Sequence, residues 1–282
     1  MKNLLAIAIL AVGALSLPGT AAERIPLSAV SHIHGIAFDP TAPGSVFLAT
    51  HYGLFKAGPD GMAEAISENQ DDYMGFSPHP TDPAVLFASG HPAEGGNVGV
   101  IVSRDGGVTW TQIATGVGGP VDFHGMSVSR ADPQTLYGLY DGIQVSRDGG
   151  VTWSIAGAGP DKAIDLAASP KRAEVVYAAT LNGLMQSSDA GATWRVIGPP
   201  DAQAAMVEAA PDGSLYAFFV GTGLLKLSPA DVWTELASDL GDKIILHLAA
   251  DPADPAHLVA VTQASEILQS ADCGKTWAAF AS

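Results

Sequence analysis

Ser103-Arg-Asp-Gly-Gly-Val-Thr-Trp110 is repeated letter for letter at Ser146 to Trp153, and it returns with changes at Ser187 to Trp194 and Ser270 to Trp277. Its residue types describe a hairpin turn. The Asp and Ser/Thr side chains bond backbone groups of the turn, Gly adopts a φ denied to other residues, and Trp packs between strands. The copies recur on a period of about forty residues, the length of one four-stranded repeat unit.

Outward from this turn, each unit reads as four short strands with no helical stretch between them. His34-Gly-Ile-Ala-Phe-Asp-Pro40 opens the first unit and Val46 to Thr50 follows it. Gly142 to Ser146 leads into the repeated turn, and Trp153 to Ala156 leads out. Opening strands fall near His34, Met74, His124, Ile164, Ala205 and Leu246. The expectation is an all-β, six-bladed β-propeller occupying residues 23–282 as a single domain. Gly58-Pro-Asp-Gly61 and Ser228-Pro-Ala-Asp231 stand where the first and fifth units should carry the motif. Any turn of the right length can replace it.

The motif resembles the Asp-box of BNR-type repeats, and the chain is similar to Asp-box propellers such as sialidases and sortilin-type domains. His32-Ile-His-Gly, Thr50-His-Tyr-Gly, Tyr73-Met-Gly-Phe, Ser89-Gly-His-Pro and Asp122-Phe-His-Gly-Met look like a bacterial exported family labelled glycosyl hydrolase. The resemblance implies a propeller. It does not carry an activity with it, because Asp-boxes lie on outer hairpins and fold does not fix function.

The chain opens with Lys2, a short apolar run from Leu4 to Leu17, and small residues Thr20-Ala21-Ala22. This pattern predicts a signal peptide over residues 1–22, cleaved before Glu23, and a periplasmic or secreted protein with no membrane insertion after cleavage. Cys273 is the lone cysteine, so no internal disulfide forms. With 13 basic against 29 acidic residues the net charge is -16, which repels phosphate backbones and excludes nucleic acid as a partner. The chain is expected to act as a monomer.

With the repeats superimposed, the units stop being equivalent. The position before Gly35, Gly75 and Gly125 holds His34, Met74 and His124 in the first three units, and its counterparts in the last three are Ile164, Ala205 and Leu246. Two residues earlier stand His32, Asp72 and Asp122, against Lys162, Gln203 and Ile244. His51 and His91 follow the second strands of the first two units. Strand alternation and the meander place all of these at one mouth of the central channel, on three adjacent blades. Gly35, Gly75 and Gly125 let the inner strands approach.

Imidazole, thioether and carboxylate together are metal ligands in chemical type. They suit copper first and zinc second in an oxidising compartment. His34, Met74, His124, His51 and His91 are the expected ligands, with His32, Asp72 and Asp122 orienting the imidazoles. The expected role is metal handling or tolerance, in contact with a periplasmic metal-handling protein. Met126 is expected in the core, His79, His257 and His247 in structural roles, and Cys273 unreactive.

Two other readings stay open. A glycoside hydrolase would pair Asp72 with Asp122 or Glu94 as acid and base or nucleophile. Sialidases of this architecture use three arginines, and here Arg104, Arg147 and Arg195 belong to outer hairpins while Arg130 and Arg172 fall at the opposite rim. A protein-interaction propeller, kept open by resemblance to sortilin-type domains and photosystem assembly propellers, would dock a partner on the rim, where Tyr52 and Tyr73 are the aromatics.

Overall fold

A computed structural model describes residues 24–237 and 240–281. The signal peptide expected over residues 1–22 lies outside the described residues. The chain is a six-bladed β-propeller of antiparallel sheets, five with four strands and one with five. A single 3-10 turn, Leu27–Ala29, is the helical element among the described residues, and no helix there is long and apolar enough to cross a membrane.

Blade 1 comprises Ile33–Phe38, Val46–Thr50, Gly53–Ala57 and Met62–Ala65, and Arg24–Pro26 adds a fifth, outermost strand paired with Met62–Ala65. The inner strands of blades 2 to 6 are Asp72–Pro78, Gly125–Val128, Ala163–Ala168, Ala204–Ala209 and Ile245–Ala250. Every blade is therefore one contiguous stretch of chain, and among the described residues no strand is exchanged between the first and the last. An apolar cluster fills each blade boundary. At the seam, Val30, Ile33, Ile36 and Phe38 of blade 1 pack on Ala249, Val259, Val261, Ile267 and Phe280 of blade 6.

The repeated turn is built as its residue types require. Asp105 accepts hydrogen bonds from Ser103 Oγ at 2.8 Å, Thr109 N at 2.9 Å and Thr109 Oγ1 at 2.6 Å, and Trp110 Nε1 donates to the Gly107 carbonyl at 2.9 Å. The same bonds recur about Asp148, Asp189 and Asp272. They hold all four carboxyls down at about 2. Trp110 then stacks on Tyr73 at 4.8 Å and Trp153 on Phe123 at 4.9 Å, tying hairpins to the boundary cores. The motif is a hairpin clasp, far from the channel.

Along the channel, side chains of one blade bond backbone groups of the next. Ser77 Oγ accepts Val128 N at 3.0 Å, Ser127 Oγ accepts Ala168 N at 3.0 Å, and Asp165 Oδ2 accepts Val207 N at 2.9 Å. Glu208 reaches the backbone of Ala250, and His247 reaches that of Ile33 across the seam. These links explain polar residues deep in a β core: each satisfies a backbone group that no ladder reaches. Burial pushes the carboxyls of Asp165 and Glu208 up to about 7 and the His247 imidazole down to about 4.

Candidate metal centre

Four inner strands carry a β-bulge at the same place. Register shifts between Ile33 and Gly35, Ala163 and Asp165, Ala204 and Met206, and Ile245 and His247. The extra residue in each case, His34, Ile164, Ala205 or Leu246, lines the channel, whose cavity measures about 410 Å³. A bulged residue escapes the alternation of its strand, which re-aims the side chain. This is how His34 reaches the channel mouth.

Blade 2 departs from that rule. Its irregularity falls between Met74 and Ser77, Met74 stays in the ladder opposite Ser89, and Gly75 takes a φ of +54°. Met74 is buried, and Gly75 occupies the channel wall instead. Sequence alignment makes Met74 the counterpart of His34; the displaced bulge removes that equivalence. Met126 is buried in the core between blades 2 and 3.

The remaining expected ligands gather in two groups of three, each spanning a blade boundary. The first joins His34 and His51 of blade 1 to Asp72 of blade 2. His51 occupies the turn after Val46–Thr50, whose shape is set by Thr50 Oγ1 accepting Tyr52 N at 3.0 Å and donating to the Gly53 carbonyl at 2.9 Å. Nδ1 of His51 lies 2.6 Å from Asp72 Oδ2, and Nε2 of His34 lies 3.8 Å from Asp72 Oδ1. His34 Nε2 and Asp72 Oδ1 are both buried with no hydrogen-bond partner. Burial, against the pull of Asp72, holds the His34 imidazole at about 4. At neutral pH it is an uncharged ring with a free lone pair.

The second group joins His91 of blade 2 to Asp122 and His124 of blade 3. His91 stands directly opposite Asp72 in the blade 2 ladder, so one cross-strand pair serves both groups. Its Nδ1 donates to the Gly96 carbonyl at 2.8 Å, which turns Nε2 toward the other two members. That Nε2 lies 3.1 Å from Asp122 Oδ2, and His124 Nε2 lies 2.7 Å from the same oxygen. The bond to Asp122 raises the His124 pKa against partial burial. Asp122 Oδ1 is buried and unpartnered. A backbone carbonyl fixing one imidazole N–H, with the other nitrogen left to a metal, is how metal-binding histidines are held.

His32 stands outside both groups and makes no hydrogen bond to the other imidazoles; its ring centroid is 5.2 Å from that of His51. Glu94 is exposed on the loop beyond His91. His79 Nδ1 accepts Thr81 N and Asp82 N at 3.3 and 3.1 Å, capping a turn. His257 packs on Phe38 at 4.9 Å and meets Asp251 at 3.4 Å. No residue type signals the carbonyl of Gly96, a backbone group, or the shifted bulge of blade 2.

No family model matches the chain, and no curated protein is similar to it. Solved structures do share its fold. A GH74 enzyme from Niastella koreensis superposes with a TM-score of 0.64 at 17% identity, over 88% of this chain and 45% of that one. A GH74 xyloglucanase from Xanthomonas campestris superposes with a TM-score of 0.63 at 19% identity, over 92% and 46%. The chain thus spans less than half the length of these enzymes. A structure of YCF48 bound to D1 peptide has a TM-score of 0.57 at 18% identity, over 94% and 87%. At such identities the likeness concerns the fold alone.

Proposed function

We propose that this chain is an exported propeller that binds divalent transition metal, Cu(II) ahead of Zn(II), at two His2Asp centres on one mouth of its channel. Its role is metal handling or tolerance. The observation that carries this reading is the facing pair His34 Nε2 and Asp72 Oδ1, buried, unpartnered and 3.8 Å apart. Leaving two such atoms unpaired costs about 1–3 kcal/mol each. Two ligands on one ion with bonds of about 2.0–2.2 Å are separated by a similar span. The donor set is imidazole and carboxylate without thiolate, and the divalent series favours Cu(II) for such ligands. With Met74 off the channel wall, the thioether argument for Cu(I) falls away.

The signal peptide read in residues 1–22 and the lone Cys273 support a periplasmic or secreted setting. The repeated turns are read here as Asp-boxes of the BNR type, which ties the chain to sialidase-like and sortilin-like propellers by architecture. A periplasmic metal-handling protein is the expected partner.

Metal analysis of protein purified from the periplasm, followed by calorimetric titration with Cu(II), Zn(II) and Cu(I), tests the proposal. Two ions are expected in the wild type, one in His34→Ala or His124→Ala, and none in the double variant. Wild type that takes up none of the three ions overturns the reading. A second reading, glycoside hydrolysis by Asp72 and Asp122 or Glu94, draws on the likeness to GH74 enzymes. Both aspartates are already engaged by imidazoles, which counts against it; turnover of aryl glycosides abolished by Asp122→Asn would establish it.

A further inference from the structure

His32 stands at the outer end of a line of three imidazoles. Its ring centroid is 5.2 Å from that of His51, which is 4.4 Å from that of His34. Accessibility falls along the line: His32 is exposed, the His51 side chain is 42% accessible and that of His34 is 22%. The buried pair His34 and Asp72 is at its inner end.

The outer imidazole is not a loose surface group. The His32 N–H donates to Ser265 Oγ of blade 6 at 3.2 Å, and its carbonyl accepts the His51 N–H at 3.3 Å. Its backbone is left-handed, with φ of +52°. Nδ1 meets Ser31 Oγ at 3.2 Å, and Nε2 has no hydrogen bond among the described residues. One ring nitrogen is therefore open to a ligand from solvent.

Other blades supply an internal control. The same backbone link joins Leu181 to Lys162, Val220 to Gln203 and Gln263 to Ile244, at 3.2, 2.9 and 2.9 Å. Lys162 is left-handed as well, with φ of +58°. The clamp is a general device of this propeller. Blade 1 alone among these four places an imidazole at both of its ends.

We infer that His32 is a capture ligand, which takes a divalent metal ion from solvent and passes it through His51 to the buried His34–Asp72 pair. The inference rests on the metal-centre reading given above. An ion bound to one imidazole reaches the next by a displacement of a few ångströms, exchanging one nitrogen for another without being released. The ion is carried on His51 Nε2, so the proton between His51 Nδ1 and Asp72 Oδ2 stays in place throughout. Because His32 belongs to neither resident group, it should alter how fast the ion arrives and leaves but not how tightly it is held.

The test uses stopped-flow mixing of full-length protein with aqueous Cu(II) in a non-coordinating buffer, in a His124→Ala background so that only the first centre fills. In His32→Ala and His32→Asn, association and dissociation should both slow by about tenfold with the Kd unchanged. Lys162→Ala should load at the parent rate. Faster dissociation with a weakened Kd would make His32 a resident ligand, and unchanged rates would make it a bystander; either overturns the inference. Failure of the wild type to bind any ion would instead remove the metal-centre reading itself.

Discussion

Nδ1 of His51 lies 2.6 Å from Oδ2 of Asp72, across the boundary between blades 1 and 2. The bond joins a turn that follows a second strand to the first residue of the next inner strand. The second group joins the corresponding neighbourhoods one blade on, with His91 at the end of the second strand Leu86–His91 and Asp122 just ahead of the inner strand Gly125–Val128. Only the third member differs: His34 comes from the blade of the turn, and His124 from the blade of the aspartate.

This construction makes the centres separable. Asp72→Asn should weaken the first site by at least about 100-fold and leave the second filled. Asp122→Asn should do the reverse. Titration calorimetry of the two variants checks the stoichiometry, expected to fall from two ions to one in each.

Stability should depend on pH in opposite directions on two limbs. Asp165 and Glu208 have folded pKa values raised to about 7 by burial, so the folded state retains protons that the unfolded chain has lost. Their contribution is complete below the unfolded values near 4 and is lost as pH rises through 7, by about 3–4 kcal/mol for each group. Thermal melts of metal-free protein between pH 5 and 8 should show this decline, and Asp165→Asn or Glu208→Gln should flatten it.

His247 works the other way, since burial lowers its folded pKa to about 4. Its contribution is present above the unfolded value near 6.5 and is lost as pH falls toward 4. His247→Asn should shrink the acid limb of the same melts while leaving the decline above pH 6.5 in place.

Cys273 should be replaceable with profit. It takes a φ of +63° at the turn position where Gly106 and Gly149 take +76° and +75°. A left-handed backbone costs a side-chain-bearing residue about 1 kcal/mol. Cys273→Gly should raise the Tm by about 2–4 °C, and Cys273→Ala should not.

Gly75→Ala should be among the most damaging single substitutions. A Cβ there would lie 2.3 Å from the Phe123 carbonyl oxygen and 2.9 Å from Met126 Cβ, at a φ of +54°. The expected loss exceeds about 2 kcal/mol in urea unfolding. Displacing Phe123 also moves Asp122, so the second centre should weaken with it. Gly118→Ala, with open space around it, should cost only about 1 kcal/mol of backbone strain.

The propeller was legible because Trp110, Trp153, Trp194 and Trp277 end four in-phase turns, and phase alone fixes which strand is innermost. The imidazoles were legible because departures from a repeat are visible once phase is known. Two things were not. Strand alternation assumes an unbroken ladder, and a bulge that slips from His34 in blade 1 to beyond Met74 in blade 2 leaves no mark in residue type. The second is the role of Asp165 and Glu208, each of which bonds a neighbouring blade's backbone, a partner that residue type does not announce.

Arg24–Pro26 gives its pairing to its own blade, so among the described residues no strand latches the seam between blades 1 and 6. Such a ring can breathe. Amides along Ile33–Phe38 and Ile245–Ala250 should exchange with deuterium together, as one cooperative opening rather than as separate frays. The bond from His32 N–H to Ser265 Oγ crosses that seam while the His32 carbonyl holds His51 N within blade 1, so the same opening frees the outermost imidazole from blade 6 and leaves it with the two behind it.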